Sequence, residues 1–211
     1  MNQLNVFEGL KSPKSIVEVD SSLNDFVKID GLIYKSNYIS NLEHFLLWNS
    51  IYSEVWLDDL KRRVQHYGYK YDYKSKFIDY SMKVGDLPNW SLATAYQLLN
   101  DGYMHSIPDQ LIVNEYHPGQ GITNHVDCEP CFGDTIASIS LGSGCVMDLI
   151  NIKTKEKIAI YLEPNSLLVL KGVARYEWSH GIHAKKTDVF KDERYDRHLR
   201  VSLTFRNVIH V

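Results

Sequence analysis

The chain has 211 residues, with 23 lysines and arginines against 26 aspartates and glutamates, so its formal net charge is −3. Hydrophobic residues make up 44% and charged residues 23%, a balance typical of one folded globular domain and not of a disordered chain or a histone-like basic binder. The apolar runs are far too short to cross a bilayer, and residues 1–30 lack the apolar core of a signal peptide, which indicates a protein without membrane segments.

Helices are predicted in the first half of the chain. Residues 1–30 are polar and weakly patterned, and we interpret them as a loosely attached leader. Apolar residues at helical spacing then predict one helix at 41–55 and a second at 91–100. The second has Ser91 as its expected N-cap and Gly102 as its stop.

Short β-type runs dominate the chain after Pro108, separated by turn signals. They lie at 111–116, 135–141, 146–152, 157–161, 166–171, 178–181 and 200–206. This spacing predicts a sandwich, jelly roll or barrel, so we expect a mainly β core with helices packed from the N-terminal side.

The segment 61–76 is basic and rich in tyrosine. It holds six basic residues and one acid, so it carries +5 while the rest of the chain carries −8. Tyr67, Tyr69, Tyr71 and Tyr73 alternate through it, and on a strand this period places their rings on one face. Cations that neutralise phosphates beside rings that stack on bases indicate binding of single-stranded or flipped nucleotides. Taken alone, however, the segment is more simply interpreted as a β-hairpin with its tyrosines packed inward and its lysines outward, and only the motifs further along the chain favour nucleotide binding.

His125 and Asp127 are candidate metal ligands. They are separated by one residue in an extended segment, so both side chains point to one side. Two histidines and one carboxylate form the ligand set of non-haem Fe(II) oxygenases. His180 lies between an aromatic residue and a glycine and is the favoured third ligand, with His183 as its competitor.

The run 200–206 alternates between polar and apolar residues. Its polar face consists of Arg200, Ser202, Thr204 and Arg206. A solvated face is one reading, but inside a barrel the two guanidinium groups would need anionic partners, and a small dicarboxylate at the metal fits that need. Asn114 and Tyr116 repeat the spacing and place an amide and a phenol on one face, where both can hydrogen-bond a carboxylate.

These motifs occur in an order that resembles the AlkB family of Fe(II)- and 2-oxoglutarate-dependent dioxygenases. The resemblance covers about residues 30–211 and implies a double-stranded β-helix (jelly roll) domain at 31–211. It implies that Fe(II), 2-oxoglutarate and O2 are the cofactors and co-substrates. The implied iron ligands are His125, Asp127 and His180, and the implied 2-oxoglutarate site is formed by Asn114, Tyr116, Arg200 and Arg206 and lined by Ser202 and Thr204. Within the family, segments such as 62–69 and 175–182 are most similar to the eukaryotic homologue that hydroxylates a wobble uridine in tRNA.

The resemblance also implies a substrate. The family places a nucleotide-recognition lid at about 56–82, which implies substrate contacts by Arg62, Arg63, Tyr67 and Tyr69, with Glu129 as an acidic contact from the other side. We therefore expect oxidation of a modified or methylated base in RNA, with tRNA favoured, or in alkylated DNA. We expect a monomer that binds nucleic acid, with recognition by a partner protein left open. The alternatives are a protein demethylase or hydroxylase on the same core and a non-catalytic nucleic-acid-binding module.

The three cysteines favour free thiols in a reducing compartment, cytoplasm or nucleus, over a disulfide framework, because their number is odd. Two of them, Cys128 and Cys131, directly follow the first two candidate iron ligands. A second metal there would need two further ligands, so we favour a flap that carries Glu129 toward the substrate.

Overall fold

The computed structural model describes residues 29–58, 61–71 and 77–209, and these residues form a mainly β structure, as predicted. Nearly all of the predicted leader, residues 1–28, lies outside the described residues. The helices are α1 (Asn41–Ser53), α2 (Asn89–Asn100) and α3 (Gly172–Tyr176). The strands are β1 (Leu32–Lys35), β2 (Val64–Tyr67), β3 (Gln110–Tyr116), β4 (Ile122–His125), β5 (Thr135–Gly142), β6 (Cys145–Asn151), β7 (Lys157–Leu162), β8 (Leu167–Lys171), β9 (Trp178–Ile182), β10 (Thr187–Phe190), β11 (Glu193–Asp196) and β12 (Arg200–Arg206).

Two antiparallel sheets build the jelly roll. The larger has the order β1-β8-β5-β12-β3-β2 and the smaller β4-β9-β6-β7, while β10 and β11 form a separate hairpin. Side chains from both sheets meet in one buried cluster, including Ile136 and Leu168 from the larger sheet and Leu149 and Trp178 from the smaller. The two sheets therefore enclose a common interior, and the candidate site lies in it.

Helices α1 and α2 cover the opposite face of the larger sheet. Leu47 and Ile51 of α1, with Leu98 of α2, pack in a second cluster with Val113 and Val201 of the sheet. This confirms the expected arrangement of a β core with helices on the N-terminal side. Burying apolar side chains on both faces gives the strands that carry the site a rigid support.

The central strand β12 shows the predicted alternation. Val201, Leu203 and Phe205 are fully buried under the helices. The polar residues of the run face the interior between the sheets, and β12 lies between β5 and β3, with Ser202 opposite Ser140 and Asn114. Because β3 is the direct neighbour of β12, the motif at 114–116 and the arginine motif are brought side by side.

Helix boundaries differ from the predicted ones for local reasons. Helix α1 begins at Asn41, as predicted, because Ser40 and Glu43 form a capping box, but it ends at Ser53. Helix α2 begins two residues earlier than expected, and Pro88 occupies the N-cap position assigned to Ser91. The hydroxyl of Ser91 instead donates back to the Pro88 carbonyl from inside the first turn.

Candidate active site

A cavity of about 820 Å³ opens between the two sheets. Its walls include the predicted metal ligands, the 2-oxoglutarate residues predicted on β3 and β12, and residues of the basic segment. The members assigned from the sequence are Arg62, Asn114, Tyr116, His125, Asp127, Glu129, His180, Arg200, Ser202, Thr204 and Arg206. Arg63, Tyr67 and Tyr69 are not among the lining residues.

His125, Asp127 and His180 come together in the wall of this cavity. One ligand atom from each residue lies within 4.8 Å of the others, and this is the one such cluster found in the described residues. His125 ends β4, and its cross-strand partner on β9 is His180. The pairing of these two strands thus places two imidazoles beside each other, and the turn after β4 brings the Asp127 carboxylate to them.

The orientation of both imidazoles suits metal binding. Nδ1 of His125 lies 2.8 Å from the Thr123 carbonyl oxygen, which fixes the tautomer with Nδ1 protonated and leaves the Nε2 lone pair available. His180 directs Nε2 toward Asp127, at 3.4 Å from its Oδ2. Burial lowers the pKa of His180 to about 4, against the opposing charge of Asp127, so the imidazole is neutral at physiological pH.

Arg206 keeps Asp127 ionised. Burial alone would raise the pKa of Asp127, but the positive charge of Arg206, followed by the two histidines and Arg175, lowers it to about 2. Nη2 of Arg206 lies 2.9 Å from Oδ1 of Asp127, and its guanidinium lies over the Phe132 ring at 4.4 Å. The predicted 2-oxoglutarate residue therefore also orients a metal ligand, a role that the alternating pattern of β12 alone did not indicate.

Arg175 supports the same ligand from the backbone side and was not selected from the sequence. It is 2% exposed, and its Nη1 and Nη2 donate to the carbonyl oxygens of Asp127 and Cys128 at 2.9 and 3.3 Å. Two bonds from one planar guanidinium hold the turn that follows the first two ligands. The run 172–176 did carry a signal, since an arginine lies there among apolar residues, but its two target carbonyls are 48 and 47 residues away in sequence.

Arg200 has the donors expected of an anion site. It is 3% exposed, and its Nη2 donates to the Ser140 hydroxyl at 2.9 Å. Its Nε and Nη1 are buried and have no hydrogen-bond partner within residues 29–58, 61–71 and 77–209. Leaving charged donors unpaired in a protein interior costs several kcal/mol, on the order of 3–5, so the position calls for an anionic ligand. A carboxylate of 2-oxoglutarate fits this position.

Asn114 and Tyr116 lie next to Arg200, and Arg62 joins them from the basic segment. Nε of Arg62 donates to Oδ1 of Asn114 at 2.8 Å. The guanidinium groups of Arg62 and Arg200 lie 5.6 and 5.5 Å from the Tyr116 ring centre. The basic segment thus reaches the wall of the predicted 2-oxoglutarate pocket, at the side where the cavity opens.

Arg63 is turned away from the cavity, contrary to the substrate contact expected for it. Its Nε and Nη2 donate to the fully buried Glu115 carboxylate at 2.7 and 2.8 Å, and its guanidinium lies over the Trp56 ring. The two neighbouring arginines thus have different partners, because Arg62 binds Asn114 in the cavity wall and Arg63 binds Glu115. Burial alone would raise the pKa of Glu115, but hydrogen bonds from Arg63 and Tyr52 lower it.

Replacing Arg63 with alanine should lower the free energy of unfolding by about 2–3 kcal/mol, because Glu115 would keep its burial and lose its charged partner. The Arg63 side chain is 40% exposed, which places the effect below that of a fully buried pair. The pKa of Glu115 is lower in the folded than in the unfolded protein, so its ion pair stabilises the fold at pH values above the range in which free glutamate titrates. This stabilisation is lost as the pH falls through the folded-state pKa. The difference in unfolding free energy between the wild type and Arg63→Ala should therefore shrink on acidification. Urea unfolding at several pH values measures this.

The matched variant is Arg62→Ala, one residue away and without a contact to Glu115. It should lower the free energy of unfolding by about 1 kcal/mol or less. If Arg63→Ala unfolds like the wild type and instead weakens nucleic-acid binding, Arg63 is a substrate residue as the sequence indicated.

The tyrosines of the basic segment do not share a face. Strand β2 ends at Tyr67, and Gly68, at φ +76°, breaks the period of two. Tyr67 packs against the helix-side cluster and Trp90, whereas Tyr69 and Tyr71 are buried in the cluster between the sheets. Tyr69 is therefore a core residue in this structure and Tyr67 a partly buried one, whereas Tyr71 lines the cavity and position 73 falls outside the described residues.

The turn after Asp127 carries a disulfide between Cys128 and Cys131, where free thiols were expected. Backbone hydrogen bonds from residues 131 and 132 to the Cys128 carbonyl close the turn and bring the two Cα atoms to 5.2 Å. Bonded sulfurs are not ligands for a second metal, and the third cysteine, Cys145, is buried on β6. Because two of the three cysteines are bonded, the odd number of cysteines no longer supports a reducing compartment. Glu129, inside the turn, is exposed and lines the cavity.

His183, the competitor for the third ligand position, lies outside the cluster. Its Nε2 is 2.8 Å from Oδ2 of Asp148, and its side chain is 61% exposed. The structure therefore favours His180, whose side chain is 12% exposed.

In the described part of the chain, no helix is both long enough and apolar enough to span a bilayer.

Comparisons with known proteins agree with this site. Residues 52–206 match the sequence model of the 2OG-Fe(II) oxygenase superfamily. The mouse tRNA (carboxymethyluridine(34)-5-O)-methyltransferase ALKBH8 is 36% identical over 84% of this chain, which spans only 30% of that relative. The mouse mitochondrial alpha-ketoglutarate-dependent dioxygenase alkB homolog 7 is 31% identical, over 71% of this chain and 70% of the relative.

A solved structure has the same fold. The structure of OsALKBH1 superposes with a TM-score of 0.61 at 14% identity and covers 86% of this chain and 100% of its own. From the matched family and the clustered ligand set, the chain belongs to the 2OG-Fe(II) oxygenase superfamily and, within it, to the AlkB family, oxidoreductases that use Fe(II), 2-oxoglutarate and O2.

Proposed function

We propose that this oxygenase oxidises a modified or methylated base in nucleic acid, with tRNA as the favoured substrate, and releases succinate and CO2. The observation that carries the proposal is the position of Arg62. This residue of the basic segment lies in the wall of the cavity that also holds the three candidate metal ligands, where a guanidinium can bind a phosphate of an entering nucleotide. The name of the mouse relative refers to a modified uridine of tRNA, which supports the choice of substrate.

The residues that would hold iron are His125, Asp127 and His180, and Arg200 with Asn114 and Tyr116 would hold the carboxylates of 2-oxoglutarate. When bound, iron and 2-oxoglutarate activate O2 for oxidation of a C–H bond. Oxidation of an N-methyl group would lead to demethylation, whereas oxidation at another carbon would leave a stable alcohol. Ser202 and Thr204 line the same pocket.

The protein's own contribution is to orient and to exclude water. Arg206 holds the Asp127 carboxylate in one orientation and keeps it ionised, and Arg175 fixes the backbone of the same turn. The buried apolar cluster between the sheets forms part of the cavity wall, and it shields Asp127 and His180 from most of the solvent.

The cavity wall also offers groups of the kind that bind a nucleotide. Lys61 and Arg62 supply positive charge, Tyr71 supplies an aromatic wall, and Glu129 supplies an acceptor for the exocyclic or ring N–H groups of a base. The proposed lid at 56–82 includes the first three of these residues.

The test is mass spectrometry of total tRNA and of methylated RNA and DNA oligonucleotides after incubation with the protein, Fe(II), 2-oxoglutarate and O2, with methylated peptides in parallel. We expect a nucleoside that gains one oxygen atom or loses a methyl group, only when iron and 2-oxoglutarate are both present. Arg62→Ala should lower the yield about tenfold, in line with loss of one charge-assisted contact. Product on peptides alone would contradict the proposal and favour the protein-oxidising alternative.

A further inference from the structure

Basic residues from two distant parts of the chain flank a short turn that leads into the cavity wall at Gly121. Lys61 and Arg62 precede β2 and line the opening. Lys185 and Lys186 follow β9, and both are exposed. We call these four residues the basic rim. Only its first half belongs to the tyrosine-rich segment, so the pattern in the sequence did not reveal the second half.

The turn at 117–120 joins the two halves of the rim. Nε2 of Gln120 donates to the Lys61 carbonyl at 2.9 Å, and the backbone N–H of Gly119 donates to the Lys185 carbonyl at 2.9 Å. A Cβ atom on Gly119 would lie 3.9 Å from Cγ of Lys186. Residues 61 and 185 therefore flank one short turn, although 124 positions separate them in the sequence.

The second half of the rim is held in place by a buried ion pair. Nη1 of Arg197 donates to the His183 carbonyl at 2.7 Å, and its Nε and Nη2 each lie 2.6 Å from the Asp188 carboxylate. A Cβ atom on Gly121 would lie 2.1 Å from the Ile182 carbonyl oxygen, so the two backbones are in direct contact. The segment bearing Lys185 is thus fixed against the cavity wall and positioned before any ligand binds.

The lysines of the rim are free to bind an anion. Among the described residues, no carboxylate lies within 4.0 Å of the ammonium group of Lys61, Lys185 or Lys186. The carboxylates of the neighbouring elements already have partners, in the pairs Glu115–Arg63, Asp148–His183 and Asp188–Arg197. The positive charge of the rim is therefore not neutralised from within this part of the protein.

The rim is also close to the metal ligands. Lys185 follows His180 by five residues, so their Cα atoms are at most about 18 Å apart. A row of cations at this distance from a site that accepts one nucleotide suits the phosphates of the adjacent nucleotides.

We propose that Lys185 and Lys186 extend the nucleic-acid contact of Lys61 and Arg62 and bind backbone phosphates that flank the target nucleotide. This inference rests on the proposed function and adds a surface to it. The recognised chemistry is the phosphodiester backbone, which RNA and DNA share, and the contact carries no base specificity.

The experiment compares the variant Lys185→Ala/Lys186→Ala with the wild type by fluorescence anisotropy on a labelled single-stranded RNA and on DNA of the same sequence. Each lost phosphate contact lowers the slope of log Kd against log salt by about 0.7, so the slope should fall by about 1.4. Between about 50 and 200 mM salt, the wild type should then lose about sevenfold more affinity than the variant. Reversing both charges to glutamate should enlarge the effect.

The matched control is Lys153→Ala/Lys157→Ala, which removes two positive charges at the other end of the smaller sheet. In the register of β6 with β9, Asn151 lies opposite Trp178, at the end of β9 away from Lys185. This control should keep the wild-type slope, and thermal unfolding verifies that every variant is folded. An unchanged slope for Lys185→Ala/Lys186→Ala on both polymers overturns this inference alone. A wild type that binds neither polymer overturns the proposed function and the inference together.

Discussion

Replacing His180 with alanine should abolish iron-dependent formation of succinate from 2-oxoglutarate. His180 supplies one of three ligand atoms that lie within 4.8 Å of one another, and His125 and Asp127 alone leave the ion with two protein ligands. We expect activity to fall by more than the roughly 10- to 100-fold that is lost when a residue supporting a metal ligand is replaced. Succinate measured by mass spectrometry, with and without added Fe(II), gives the activity, and titration with Mn(II) gives metal affinity independently of turnover.

The matched control is His183→Ala, three residues along the same chain. Its exposed imidazole pairs with Asp148 outside the cluster, so this variant should bind metal and form succinate as the wild type does. An inactive His183→Ala beside an active His180→Ala would transfer the ligand role to His183.

Replacing Arg200 with alanine should raise the KM for 2-oxoglutarate by a factor of about 100 to 1,000, as expected when one partner of a buried charge pair is lost. The buried Nε and Nη1 of this residue have no hydrogen-bond partner among the described residues, so they are available to a bound carboxylate. The effect should fall on KM more than on kcat. Arg200→Lys should recover little, because an ammonium group cannot reproduce the two parallel bonds of a guanidinium.

Ser140→Ala serves as the comparison for Arg200. It removes the hydroxyl that accepts from Nη2 but keeps the guanidinium, so the KM should rise by about tenfold or less. A normal KM for 2-oxoglutarate in Arg200→Ala would show that the co-substrate is held elsewhere, and Arg206 would then be the residue to replace next.

Much of the active site could be predicted from the sequence because its residues occupy alternate positions, and a strand places alternate residues on the same face. In β12 the polar residues occupy alternate positions, and a strand buried on both faces must place them together. His125 and Asp127 were found for the same reason. His180 could be selected over His183 from its neighbours, and the structure agrees because the pairing of β4 with β9 places His125 beside His180.

Interactions between distant segments could not be predicted from local spacing. Arg62 and Arg63 read alike in sequence, yet one faces the cavity and the other a buried glutamate that only β3 brings near. The period of two in the tyrosines was real in sequence but is interrupted at Gly68, and Tyr69 became a core residue. Arg175 binds the backbone carbonyl of Asp127, and the segment that carries Lys185 binds the turn at Gly119. Only the fold brings these partners together.

The succinate formed per oxidised nucleoside, measured by mass spectrometry with tRNA or a methylated oligonucleotide as the substrate, tests the link between the iron site and nucleic-acid oxidation. The wild type should form about one succinate for each oxidised nucleoside, since one C–H oxidation consumes one 2-oxoglutarate. His180→Ala should form neither product. Succinate formed at the same rate with and without nucleic acid, and no altered nucleoside in any of these substrates, would contradict oxidation of nucleic acid at this site.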